Sequence, residues 1–481
     1  MKVDVLVAEI GSTTTVVNAF HGLDGGRPVY LGQGQAPTSV LDGDVRIGLQ
    51  SAVSDLCGKL GTESLEYREM LATSSAAGLK MTVHGLVYDM TAKAAREAAL
   101  GAGGILHYVT AGRLRRTDLA KIKEIRPNLI LIAGGVDYGE RDTAIANAEM
   151  IRSMNLKIPV VYAGNVENQE EMRLIFPEEE GEQLYIVENV YPKIDALNVE
   201  PCRKVIQDAF EQNITHAPGM EHVREMVTGP IIPTPGAVME CTKLLYEYLG
   251  DLIVLDVGGA TTDLHSVTVE SDQVARLMIS PEPKAKRTVE GDLGVYVNRW
   301  KVVESIGEEK LREQCREQGF SMEHALETYR AIPKTEEEVK LVELLTREAV
   351  VKAAERHAGR LRYIYGPSGR STVAEGKDLT QVKYIVGTGG ALTRLPHREE
   401  IMREITRCNE SGMLLLPGEH AQILVDHDYI MASLGVLSKR YPQAAARLLE
   451  QSLGITFPER KAEEPVPVCN KELSRLETQR Q

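Results

Sequence analysis

Cysteine is scarce in this 481-residue chain. The six residues, at 57, 202, 241, 315, 408 and 469, are scattered and form no CxxC pair. That excludes a disulfide framework and a zinc knuckle, and fits a reducing cytoplasm. Positive charge is in deficit: 55 Lys and Arg against 69 Asp and Glu give a net charge of −14. Such a balance argues against wrapping nucleic acid or lying on an anionic membrane. Long hydrophobic runs are missing. The longest apolar stretches are strand-sized, such as Leu129 to Ala133, far from the ~20 residues a membrane helix needs. The start, MKVDVLVAEIGS, meets an acid within four residues and does not read as a signal peptide. No short-period repeat is visible, and ordinary apolar and charged fractions of 43% and 26% exclude a disordered or rod-like chain. The length suits two or three domains.

What the chain does have is glycine, 42 residues, several clustered beside apolar runs. Residues 3–8 and 16–20 read as two strands joined by a hydroxyl-rich turn, with a third strand over 29–35 and a helix from Arg46 to Leu60. Residues 67–165 alternate strands and helices. Leu129 to Ala133, a helix through Ile151 and a strand from Ile158 to Tyr162 predict a parallel βαβ unit. Pro235 and Gly236 open a helix to about Tyr248, followed by strands at Leu252–Leu255 and Leu264–Val269. A capping box, Thr335 to Glu338, starts a helix that ends at Gly359. Tyr384 to Val386 is a further strand, and Asp428 to Arg440 reads as the last strong helix. Val5–Thr15 and Ile253–Asp263 share one order: strand, acid, glycine and hydroxyl turn, strand.

A phosphate chain needs several N–H groups aimed at one spot. Glycine lets the backbone curve and approach, and hydroxyls add donors. Gly11-Ser12-Thr13-Thr14-Thr15 and Gly258-Gly259-Ala260-Thr261-Thr262 both meet this need. Each follows an acid at a strand end, Glu9 or Asp256. Hard Mg²⁺ prefers oxygen and keeps most of its waters, so one or two carboxylates beside phosphates suit it. The plain alternative is a pair of ordinary glycine turns. A third cluster, Gly387-Thr388-Gly389-Gly390, lies between a strand and a helix. It is either a simple junction or a wall against which a nucleotide base or sugar lies, where a Cβ would collide and Gly389→Val would block binding.

The order of these motifs resembles the fold of actin, the sugar kinases and the seventy-kilodalton heat-shock chaperones. PTPGAVMEC at 233–241 and DYIMASLG at 428–435 fall where that fold has its connecting helices, and GDLG at 291–294 where it has a glycine loop. The stretches VLVAEIGSTTT, LATSSAAGL, LILIAGGVDYG, LDVGGATTDLHSV and RTVEGDLG are most similar to the MutL family of glutamate mutase accessory proteins. The resemblance implies an α/β fold of two actin-like, ribonuclease H-like ATPase domains flanking a nucleotide cleft. It implies an N-terminal domain over 1–249 enlarged by an α/β insertion around 65–230, a C-terminal domain over 250–457, and a surface tail over 458–481. It implies ATP and Mg²⁺ as cofactors and slow hydrolysis that drives domain motion and releases damaged cofactor from an adenosylcobalamin-dependent mutase or aminomutase. The insertion is the expected partner-binding element, and the oligomeric state is left open. Asp256 is the candidate for organising Mg²⁺ and water, with Asp263 assisting. The first motif of the actin, sugar kinase and chaperone superfamily usually has Asp where this chain has Glu9, which moves the carboxylate by about a bond length. No arginine finger is readable, and an ATPase acting as a switch does not require one. A small-molecule kinase or an actin-like scaffold on the same fold are the alternatives.

Other residues invite plainer readings. Asp263-Leu264-His265 begins like a cobalamin motif, but Thr268 stands where glycine is required, so His265 is expected at a sheet edge or in solvent. Asp428 is expected to cap its helix. Gly134–Asp137 reads as a strand–helix turn. Arg113, Arg115 and Arg116 form a basic run that reads as a solvated helix end or as a contact to a partner or phosphate.

Overall fold

The computed structural model describes residues 1–458 apart from 12–13, 40–42, 76–78, 178–182, 215–218, 221, 230, 367–368 and 410. Three five-stranded sheets dominate. Alternating apolar residues form β1 (Lys2–Ile10) and β2 (Thr14–His21), followed by β3 (Val29–Pro37) and β4 (Glu66–Ser74). The chain then leaves this sheet and builds an inserted one from β5 (Lys80–Gly85), β6 (Ile105–Ala111), β7 (Leu129–Ile132), β8 (Val160–Tyr162) and β9 (Leu184–Ile186). It returns at β10 (Ile231–Pro233), which completes the first sheet beside β4. The next sheet is built from β11 (Leu252–Val257), β12 (Thr262–Val267), β13 (Ala285–Glu290), β16 (Tyr384–Thr388) and β17 (Gln422–Val425). A separate ribbon pairs β14 (Arg360–Gly366) with β15 (Gly369–Glu375).

The first sheet is ordered β3-β2-β1-β4-β10 and the last β13-β12-β11-β16-β17. In each, the two hairpin pairings are antiparallel and the two later ones parallel. This shared order is the ribonuclease H-like arrangement expected of the actin-like fold, present twice. The inserted sheet is all parallel and ordered β6-β5-β7-β8-β9.

Two helices join the halves. The first, Thr234–Leu249, has Pro235 in its first turn, where no backbone N–H is needed. The second, Met431–Leu437, is shorter than expected because Tyr429 adopts a left-handed conformation, φ 54°, that a continuing helix excludes. Its N-terminal amides, Ile430 N and Met431 N, are capped by Asp426 (2.9 and 3.0 Å), not by Asp428. A final helix, Pro442–Leu453, follows it, Ala- and Leu-rich and outside the elements expected from the sequence. Together the three helices fill a shared apolar layer with Val5 and Val7 of β1 and Leu252 and Val254 of β11. The long helix Glu336–His357, with its predicted Thr335/Glu338 capping box, buries Leu341, Leu345, Ala349 and Ala353 in the core of the second half. His265 is buried, contrary to expectation, because β12 is flanked by β11 and β13. Neither of its ring nitrogens has a hydrogen-bond partner among the described residues. No helix among the described residues is long and apolar enough to cross a membrane.

The connecting helices cross at Gly435, where an added Cβ would lie 1.8 Å from the Ala237 carbonyl oxygen. Gly435→Ala is therefore expected to destabilise the protein by about 1–3 kcal/mol, read as a lower melting temperature. An unchanged melting temperature would mean the helices separate without cost.

Candidate functional site

Ile10 pairs with Thr15 and Val257 with Thr262, so each hairpin closes over a four-residue turn. Each turn makes one equivalent bond: Gly11 N donates to Thr14 O, and Gly258 N to Thr261 O, both at 2.9 Å. Ser12 and Thr13 lie outside the described residues. The second turn is braced from behind by residues 293–298. The Gly259 carbonyl accepts from Tyr296 N and Val297 N (2.9 and 2.7 Å), and Asn298 Nδ2 donates to Ala260 O at 2.8 Å. Gly294 must lack a side chain, because a Cβ there would sit 2.2 Å from the Ala260 carbonyl. The hydroxyls are not all turned outward. Thr15 Oγ1 faces Thr38 Oγ1 at 3.4 Å, Thr262 Oγ1 donates to Leu293 O at 2.8 Å, and Thr261 Oγ1 donates to Asp263 at 3.1 Å.

The third cluster closes on the second turn. Gly389 has φ +82°, and a Cβ there would lie 2.5 Å from Asp256 Oδ1 and 2.6 Å from the backbone N and O of Val257. The expected ligand overlap at Gly389 is thus a collision with the protein itself. Gly387 packs against Met402, and Thr388 Oγ1 donates to Asp426 at 2.9 Å. Only Gly390 of this quartet faces open space, with no atom within 4 Å of the place a Cβ would take.

Glu9, Asp263 and Asp426 all lie within electrostatic reach of Asp256, and Asp426 within reach of Glu9. The protein satisfies three of them. Glu9 accepts from Ser433 Oγ at 2.6 Å and from Asn18 Nδ2 at 3.3 Å, which links β1 to the second connecting helix. Asn18 is itself held by Tyr30 and Gln33. Buried Asp426 accepts from Thr388, Ser452, Ile430 N and Met431 N. Asp263 Oδ1 takes Nε and Nη2 of Arg287 at 2.8 and 2.5 Å. No described group donates to the Asp256 carboxylate. Burial, then the charges of Asp263 and Glu9, push Asp256 up to about 7, against the pull of Arg287. Burial foremost, with Asp426 adding, raises Glu9 to about 7 although the Ser433 bond opposes it. Tyr429, strained and half-buried, faces the same acids, and its phenol is raised by burial and by Asp256, Glu9 and Asp426.

Sequence reasoning singled out Glu9, Asp256 and Asp263 but not Asn18, Arg287, Tyr429 or Ser433. Arg287 and Ser433 do stand inside motif stretches, RTVEGDLG and DYIMASLG. Their roles depend on which strand or helix the fold brings beside them, so the motifs carry no sign of them. Arg287 also reaches beyond the site. Its Nη1 donates to the carbonyls of Leu100 and Gly104 at 3.1 and 3.3 Å, at the end of the insertion helix Lys93–Gly101.

Because both raised carboxyls favour protons in the folded state, their stabilising contribution is present below their ordinary values near 4. It is lost as pH rises toward about 7. The free protein is expected to lose thermal stability over that window. Asp256→Asn should flatten the decline and raise stability near neutral pH. An identical pH profile in that variant would remove Asp256 as its source.

The family profile described as MutL protein matches residues 5–453. The Clostridium tetanomorphum "Protein MutL" is 35% identical over 461 residues, covering 93% of this chain and 98% of that one. Among solved structures, Plasmodium falciparum glycerol kinase with ADP aligns over 93% of this chain and 92% of its own at 9% identity, TM-score 0.36. A diol dehydratase-reactivating factor in nucleotide-free form aligns over 91% and 99% at 10% identity, TM-score 0.34. The family match runs through both hairpin turns, the insertion and the closing helices, and the chain belongs to the MutL protein family.

Proposed function

We propose that this chain is an ATP-binding accessory factor that reactivates an adenosylcobalamin-dependent mutase, glutamate mutase or an aminomutase. Slow Mg²⁺-dependent hydrolysis would move the halves, 1–249 and 250–457, and release damaged cofactor. The observation that carries this reading is the duplication. Two equivalent turns, each led by an acid, belong to two sheets of the same order, and their acids sense each other's charge.

The donor set suits a hydrated cation. The described residues contain no group of three or more His, Cys, Asp or Glu side chains placed to hold a metal by themselves. One unpartnered, raised carboxylate crowded by other acids is the kind of group that Mg²⁺ relieves while keeping its waters. Asp256 would hold it. Bound with nucleotide, Mg²⁺ supplies charge that spreads over the phosphate oxygens. In its ionised form Asp256 would also accept a hydrogen bond from a water. The two turns offer backbone N–H groups to phosphates, with Thr14 and Gly259 on their open sides. Asp263 and Arg287 hold Thr261 in place. Glu9 acts through Ser433, on the helix that joins the halves.

The small-molecule kinase alternative needs a free carboxylate base. Asp263 is paired with Arg287 and Asp426 accepts four bonds, so with Asp256 assigned to Mg²⁺ neither of these two is left to serve as that base, which disfavours that reading.

Asp256→Ala is expected to lower ATP turnover by about tenfold or more, at least ~1.4 kcal/mol of barrier. The same variant should fail to restore activity to inactivated glutamate mutase. Turnover that requires a metabolite and yields its phosphate ester would replace the reactivase with a kinase. Gly390→Val should fold normally and lose nucleotide affinity, measured by titration calorimetry, because only that glycine faces open space. Wild-type affinity would move the adenosine site elsewhere.

A further inference from the structure

All five strands of the inserted sheet are parallel, so every loop that follows a strand emerges at one end. These loops present large side chains to solvent. Tyr88 after β5 is 56% exposed, Tyr138 after β7 79%, and Ile194 after β9 71%. Tyr138 is placed deliberately: its backbone is left-handed, φ 63°, and its N–H is held by Asn165 Oδ1 at 3.1 Å. The loop after β6 adds Arg113, Arg115 and Arg116, all exposed and without an ion-pair partner among the described residues. Arg115 and Arg116 sit at the start of the helix Arg116–Ile125, where the dipole disfavours cations. The charge of Arg115 does favour ionised Asp118 three residues on, but no such partner among the described residues accounts for Arg113 or Arg116, and the run stands against the net charge of −14. Tyrosine and arginine together are the composition of protein-binding hot spots.

We propose that this end of the inserted sheet is a docking face for a folded protein carrying an acidic patch. The patch pairs with Arg113, Arg115 and Arg116, while Tyr88 and Tyr138 seat in the partner's surface. Asp89 and Asp195 stand on the same end and disfavour an anionic membrane as the occupant. The face runs into a cavity of about 510 Å³. Ile194 and Asp195 line one wall, and Ile279 and Glu282 of the second half line the other. Lys93 pairs with Glu282 across it at 2.5 Å. A partner seated on the face thus meets the half of the molecule that holds the second turn.

This inference rests on the proposed function for its probe, purified glutamate mutase, and not for its geometry. Binding of the full-length chain to the mutase should weaken as salt rises. The R113E/R115E/R116E variant should bind at least about tenfold more weakly, and Y88A/Y138A likewise, each with unchanged nucleotide affinity and melting temperature. Wild-type mutase affinity in both variants overturns the docking face alone. Charge reversal that abolishes binding to phosphatidylserine vesicles while sparing the mutase overturns it in favour of a membrane. If the unaltered chain binds no adenosylcobalamin mutase, the proposed function and the assigned partner fail together.

Discussion

Four carboxylates gather where the two duplicated sheets and the second connecting helix meet, three of them acting on Asp256, and much of the surrounding structure serves to hold them there. Like charges in a poorly solvated site repel, and each buried carboxylate must find donors or hold its proton. Asp426 takes four donors and becomes the cap of the second connecting helix. Asp263 takes a guanidinium, and Glu9 takes a hydroxyl from the second connecting helix packed against β1. Of these four, Asp256 alone receives no hydrogen bond from the described residues.

Those solutions make the acids mechanical links as well as charges. Glu9 ties β1 to the helix Met431–Leu437 through Ser433. The same helix lies against Ala237 with no room for a side chain at Gly435. The protein interior resists continuous deformation, so a change of charge at Glu9 would be passed to the contact between the two connecting helices.

Arg287 extends the same logic outward. It is buried, and its donors are divided between Asp263 beside the second turn and two carbonyls of the insertion. Removing one partner of such a buried charge costs far more than the pair contributes net. A rearrangement at Asp263 therefore must either move the insertion helix or break bonds to it. Lys93–Glu282 and Arg203 to the Ala285 carbonyl fasten the same interface. The insertion is thereby docked on the half that carries Asp256.

Periodicity and turn chemistry made much of the architecture legible: the two hairpins, the βαβ unit, the capped helix at 336–357 and the glycine turns follow from local pattern, which the backbone must obey wherever it sits. Local pattern also put Glu9 and Asp256 at strand ends. It could not say that Gly389 faces Asp256 while Gly390 faces space, since that depends on how β16 lies beside β11. It misplaced His265, whose burial depends on β13 covering β12. It also gave the helix cap to Asp428, because the left-handed Tyr429 that hands the cap to Asp426 is a response to packing. What the residues alone determined is which elements form and where glycine lets the backbone turn tightly. Which carboxylate is left without a partner was decided only by the tertiary structure, because a donor's value depends on its distance through space and not along the chain.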